Sequence, residues 1–215
     1  MNYIKDPNEI ERLSFEMIDE IVNGDHGGYP SEHKLYQAIL RRVIHTSADF
    51  DYIKNLYFSA DVLAKLEGAF DEPLTIYTDT NMALSGINKV ALKSLNAEVK
   101  CYVAEELTAQ MAKERNMTRS MAAVLRAVEE PGKKMFVFGN APTALFQTME
   151  CYAAIKEQVV AIVGVPVGFV GAAESKEALK DSGITGISAL GRKGGSNVAA
   201  AIVNAVLYHK LKKYE

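Results

Sequence analysis

The stretch VVAIVGVPVGFVGAAESKEAL, residues 159–179, joins a β-branched apolar run to a turn with glycines at 164, 168 and 171. MFVFGNAPTALFQTME, residues 135–150, repeats the design with the turn Gly139–Asn140 and a helix carrying Pro142 in its first turn. A third glycine turn opens GRKGGSNVAAAIVNA, residues 191–205. Glycine loops at strand ends expose backbone N–H groups that can hold anions or flat ligands, and they also serve as plain tight turns. His45, in RRVIHTSADFDY, stands where an apolar helix gives way to polar residues. An imidazole there can move protons near neutral pH, or simply finish the helix. Arg42, Arg119 and Arg192 lie close to His45, a helix start or a glycine turn. Their guanidinium forks suit carboxylates, and solvated ion pairs are the plainer alternative. Asp79 follows an apolar run and could cap the next helix, while Phe169 could stack on a flat ligand or join the core.

Two familiar nucleotide patterns fail. The glycines of GVPVGFVG are not spaced as GxGxxG, and GISALGRK puts Arg-Lys where a P-loop needs Lys-Ser/Thr. His26, His33 and His209 show no metal-ligand spacing, and no metal site is expected.

The elements that must position these residues follow from periodicity. Asp6-Pro7-Asn8-Glu9 reads as a helix start, with the stripe Ile10, Leu13, Met17, Ile18 and Ile21 ending at Gly24. Ser31 can cap a second helix carrying Leu35, Ile39 and Val43, and a third pattern surrounds Val62, Leu63, Leu66 and Phe70. From Pro73 onward, five apolar runs read as strands: Leu74–Thr78, Val99–Val103, Met135–Phe138, Val159–Val163 and Ile184–Leu190. Each precedes a helical segment, one starting near Glu174 and the last spanning Ser196–Lys212. That alternation predicts a three-layer α/β/α fold on a five-stranded, mainly parallel sheet with extra N-terminal helices, one domain over residues 1–215.

Composition narrows the function. A net charge of −3 argues against general nucleic-acid or membrane binding. No run reaches the roughly 18 apolar residues of a membrane helix. The polar start MNYIKDPNEIERL does not read as a secretory signal, and Cys101 and Cys151 stand alone, so a cytoplasmic location is expected.

Seven blocks in order then carry a resemblance: YIKDPNEIERLSF, RRVIHTSADFD, IYTDTNMALSGINK, MTRSMAAV, FVFGNAPTALF, VGVPVGFVGAAESKEAL and ALGRKGGSNVAAAIVNA. Together they resemble the precorrin-8 methylmutases, isomerases of corrin-ring (vitamin B12) biosynthesis. IHTSADFD and TDTNMALSGINK look like the anaerobic branch, which acts on cobalt-precorrin-8; segment 24–30 is the part least covered. The resemblance implies migration of a methyl group from C-11 to C-12 of ring C, giving a cobyrinate, with His45 as the catalytic residue. It implies that Ser14 and Arg119 face the macrocycle and that loops 139–143, 168–173 and 191–196 wall the pocket. Gly139, Asn140, Thr143, Gly168, Phe169, Gly171, Arg192, Lys193, Gly194 and Ser196 then become substrate contacts, with Arg42 and Asp79. It further implies a homodimer with the pocket near the subunit interface and no cofactor of the protein's own, any cobalt belonging to the polycarboxylate tetrapyrrole substrate. The alternatives kept beside it are the metal-free aerobic reaction giving hydrogenobyrinate, a corrinoid-binding protein without catalysis, and a phosphate-handling α/β enzyme.

Overall fold

The computed structural model describes residues 3–212. In chain order the elements are α1 (Pro7–Asp25), α2 (Lys34–Ser47), α3 (Tyr52–Asn55), β1 (Leu56–Phe58), α4 (Val62–Glu67), β2 (Leu74–Thr78), α5 (Asn81–Gly86), α6 (Lys89–Ser94) and β3 (Ala97–Lys100). There follow α7 (Glu106–Glu114), α8 (Arg119–Glu129), β4 (Lys133–Phe138), α9 (Pro142–Ile155), β5 (Val159–Gly164), α10 (Ala172–Asp181), β6 (Gly186–Ala189) and α11 (Ser196–Lys210).

The strands form one sheet in the order β1-β6-β5-β4-β2-β3. All neighbours are parallel except β1, which pairs antiparallel with β6 through Leu56–Ala189, Tyr57–Ser188 and Phe58–Ile187. The α/β/α layering and mainly parallel sheet match the sequence expectation. The count of five strands does not: β1 adds a sixth. At three residues it is too short to show an alternation. The other limits shift slightly, β3 lying two residues earlier than Val99 and β6 falling inside Ile184–Leu190.

Alternation along each strand divides the core between two faces. Met135 and Val137 of β4 pack with Ala161, Val163 and Ile187 beneath α2 and α11. Phe136 and Phe138 point the other way and pack with Ile162, Leu145 of α9, Val124 of α8 and Leu179 of α10. At the start of α1, the Asp6 side chain accepts from the Asn8 N–H and Pro7 takes the first turn, as the sequence predicts. Its buried residues are Ile18 and Val22, whereas Met17 is exposed. The cap of α2 is His33 rather than Ser31; the imidazole accepts from the Leu35 N–H, and Ser31 supports the His33 N–H instead.

From β2 the chain moves outward to β3 and then crosses back to β4 on the other side of β2. The direction of winding therefore reverses between β2 and β4. Beyond the carboxyl ends of such a pair is where open α/β sheets leave a ligand crevice.

Candidate functional site

At that reversal the sequence places Asp79, directly after β2, opposite Gly139-Asn140-Ala141, directly after β4. The Asp79 carboxylate accepts from all three backbone N–H groups, at 3.0, 2.7 and 2.7 Å. Only 4% exposed, it has burial pushing its carboxyl above the ordinary value while the three donors pull it down. Both oxygens are committed, so Asp79 is a post to which the 139–141 turn is tied rather than a group open to a ligand. The helix after it is capped by Thr80, whose hydroxyl accepts from the Ala83 N–H. That hydroxyl also lies 2.8 Å from the Ser196 hydroxyl, joining the starts of α5 and α11. Gly139 is required by close approach: a Cβ there would stand 2.6 Å from the Ser196 Cα. Gly139 and Ser196 are therefore buried in each other, while Asn140 and Thr143 are exposed at the rim.

The other two glycine loops are bonded to each other. The Gly168 N–H donates to the Arg192 carbonyl at 3.1 Å, and the Gly195 N–H to the Val165 carbonyl at 2.9 Å. Gly194, at φ 155°, passes so close to Val165 that a Cβ would sit 2.1 Å from its carbonyl oxygen. Gly171 turns above Pro142, which brings loop 168–171 against the start of α9. Beneath the 191–195 turn lies Lys176 of α10, wholly buried, with its ammonium donating to the Lys193 carbonyl at 2.8 Å. Burial lowers its pKa to about 8. Sequence reasoning passed over Lys176, although it sits on the buried stripe Ala172, Ser175, Lys176 and Leu179 where a lysine is out of place.

Between these loops opens a cavity of about 480 Å³ lined by Asn55, Phe169, Ala173, Glu174, Leu190, Gly191, Arg192 and Lys193. Phe169 is 84% exposed, and the Arg192 guanidinium lies 5.7 Å from its ring centre. The Lys193 ammonium bonds Asp49 at 2.7 Å and Asp51 at 2.6 Å, which hold it above its ordinary pKa. These two carboxylates, unnoticed in the sequence, tie the glycine turn to the segment leaving α2.

His45 occupies the last turn of α2, four residues before Asp49, with its ring exposed and edge-on to Phe15 at 5.3 Å. Ser14, beside Phe15 on α1, donates its hydroxyl to the Ile10 carbonyl. Arg42 pairs with Glu11 at 2.9 Å and lies over the rings of Phe15 and Tyr208. A second cavity of about 560 Å³ opens here, with Phe15, Lys34, Arg41, Arg42, Tyr208 and His209 among its walls. Arg119 lines neither cavity; it is exposed at the first position of α8, in the same layer as α9 and α10. Thr118, its neighbour, reaches Thr143 at 3.1 Å. A cation at a helix start opposes the backbone dipole, and Arg119 has no ion pair among the described residues. His26 stacks on Phe50, and no cluster that could hold a metal occurs among the described residues.

The expected site thus falls into three groups: the tied loops at the sheet's carboxyl edge, the α1–α2 face bearing His45, and Arg119 beyond Thr143. The Lys193 bridges to Asp49 and Asp51 join the first two.

Comparison with known proteins gives a consistent picture. The family model described as Precorrin-8X methylmutase matches residues 9–209. A protein of Salmonella typhimurium named cobalt-precorrin-8 methylmutase is 53% identical over 210 residues, spanning 97% of this chain and 98% of its own. A Pseudomonas aeruginosa protein named precorrin-8X methylmutase is 37% identical over 208 residues, covering 96% of this chain and 97% of its own. A crystal structure of precorrin-8X methyl mutase from Thermus thermophilus superposes with a TM-score of 0.81 at 30% identity, covering 95% of this chain and 98% of the other.

Proposed function

The chain belongs to the precorrin-8X methylmutase family, and from that membership we propose that it is the isomerase moving a methyl group from C-11 to C-12 of ring C of cobalt-precorrin-8, yielding cobyrinate. The observation that carries this reading is the near-full-length identity with the Salmonella protein of that name. The step is a redox-neutral rearrangement: the bond from methyl to C-11 breaks as the bond to C-12 forms on the same face. His45 supplies a proton to the ring-C region, drawing the migrating electron pair, and a proton is released as the ring system conjugates. The cobalt belongs to the substrate. Three features support His45 as the acid: its exposure on the last turn of α2, the Phe15 ring that orients it, and the Lys193 anchor one turn away.

The substrate carries acetate and propionate groups on its rim. Arg192 and Arg119, both exposed, are its carboxylate partners. Phe169 offers a face for the macrocycle. A second copy of the chain completes the pocket; the exposed apolar tip Phe169–Val170, 84% and 91% accessible, supports this pairing. Among the described residues no helix is long and apolar enough to cross a membrane, and a cytoplasmic site fits the proposed chemistry.

The test is conversion followed by visible spectroscopy. Tetrahedral C-11 interrupts conjugation in the substrate, and migration removes the interruption, so turnover changes colour where binding alone leaves the chromophore intact. Cobalt-containing and metal-free substrates are compared side by side. His45→Ala should keep macrocycle binding and lose turnover by roughly 10²–10⁴-fold, the usual worth of a general acid. Single-turnover rates near wild type in that variant remove His45 from the mechanism.

A further inference from the structure

We propose that Lys176 is a positioning residue for substrate binding: its ammonium, buried under the 191–195 turn and bonded to the Lys193 carbonyl, fixes that turn so that Arg192 presents its charge outward while Lys193 reaches its Asp49 and Asp51 anchors. The proposal rests on the tetrapyrrole reading above and gives a role to a residue that lies in the block VGVPVGFVGAAESKEAL but was assigned none there.

The argument begins with what Lys176 fails to do structurally. It lies wholly inside the protein on the apolar stripe of α10, where methionine or leucine of similar volume would pack as well without burying an ammonium. Its three donors meet one side-chain bond among the described residues, to the Lys193 carbonyl at 2.8 Å. That carbonyl belongs to the turn that bears two cations at the mouth of the 480 Å³ cavity. The neighbouring Arg192 carbonyl is turned inward as well, to the Gly168 N–H, and the Gly195 N–H is held by Val165. With both carbonyls facing the interior, the side chains of 192 and 193 lie exposed. Among the described residues, Lys176 is the one side chain from outside the loops that bonds this turn's backbone from below. Burial lowers its pKa, and since a neutral amine donates as an ammonium does, the tie survives in either state.

The experiment uses the full chain, wild type against K176M, which keeps the volume and removes the donor. Losing the tie that aligns Arg192 should raise Kd and KM for cobalt-precorrin-8 on the order of tenfold, with kcat close to wild type because His45 is untouched. Without any ligand, backbone amide exchange at residues 192–195 should quicken. K176Q, shorter but still a donor, should recover part of both effects and also serves as the reading if K176M does not fold. A purely structural role instead lowers the melting temperature and leaves KM and the 192–195 exchange unchanged in folded protein, which overturns the proposal. Wild type that neither binds nor converts the tetrapyrrole overturns the functional reading, and this proposal's substrate with it. Normal wild-type turnover beside an unaltered K176M overturns the role of Lys176 alone.

Discussion

Asp79 and Lys176 are opposite charges put to the same use. One gathers three N–H groups of the 139–141 turn and the other holds a carbonyl of the 191–195 turn, so two of the three glycine loops are shaped by an ionisable side chain beneath them. Asp79→Asn tests the first. An amide can accept with its oxygen only, and its NH₂ would confront a backbone N–H. The substitution should cost about 2–3 kcal/mol and lower Tm by roughly 5–10 °C for a chain of this size. Calorimetry of the variant checks this; a melting curve matching wild type would mean that water, not the 139–141 backbone, satisfies the carboxylate. Arg42 shows the same inward commitment, with Glu11 on one side and the Phe15 and Tyr208 rings around it. A carboxylate partner would reach Arg42 only by displacing Glu11, whereas the Arg192 side chain is exposed and has no ion pair among the described residues.

The loops and helix starts explain which glycines matter and how. Gly168 and Gly194 both have positive φ, at 150° and 155°, yet their surroundings differ. A Cβ on Gly168 would meet the Ala172 Cβ at 3.6 Å, an ordinary contact, but one on Gly194 would strike the Val165 carbonyl at 2.1 Å. Gly168→Ala should therefore cost about 1–3 kcal/mol from backbone strain alone, and Gly194→Ala distinctly more. Paired urea melts decide the order, and equal midpoints would show that the 194 turn can swing away from Val165. The contrast also marks how far the sequence is legible. Strands β2, β4 and β5 and the start of α1 follow from apolar runs and capping residues adjacent in the chain. β1 does not, because three residues carry no period and its partner β6 lies far along the chain. The inward turn of Asp79 was illegible for the same reason: its partners are backbone groups about sixty positions away, which no side-chain pattern announces. Lys176 was legible in principle, as a charge on an apolar stripe, and only its target was hidden.

For the whole molecule, the buried lysine links stability to pH. Its folded-state pKa of about 8 lies below the ordinary 10.5, so between these values the unfolded chain binds more protons than the native one. The Lys176 contribution must therefore rise with pH across that window. Tyr29, Tyr52 and Tyr77, pushed up to about 12, act oppositely and only above their ordinary value of 10.0. Denaturant melts at pH 7.5 and pH 9.5 should show wild type gaining on K176M; parallel changes would place the amine in contact with water. The layering has a further consequence, one of timing. The apolar stripe of α2, Leu35, Ile39, Val43 and Ile44, is covered by α11, and β1 completes the sheet only against β6. On the ribosome, α2 emerges long before either partner exists, so its N-terminal helices cannot settle as they are made. They wait for residues 186–210, and the α2 end bearing His45 reaches its final position only when nearly all of the described chain has been synthesised, the late closure of long-range contacts setting the pace of folding.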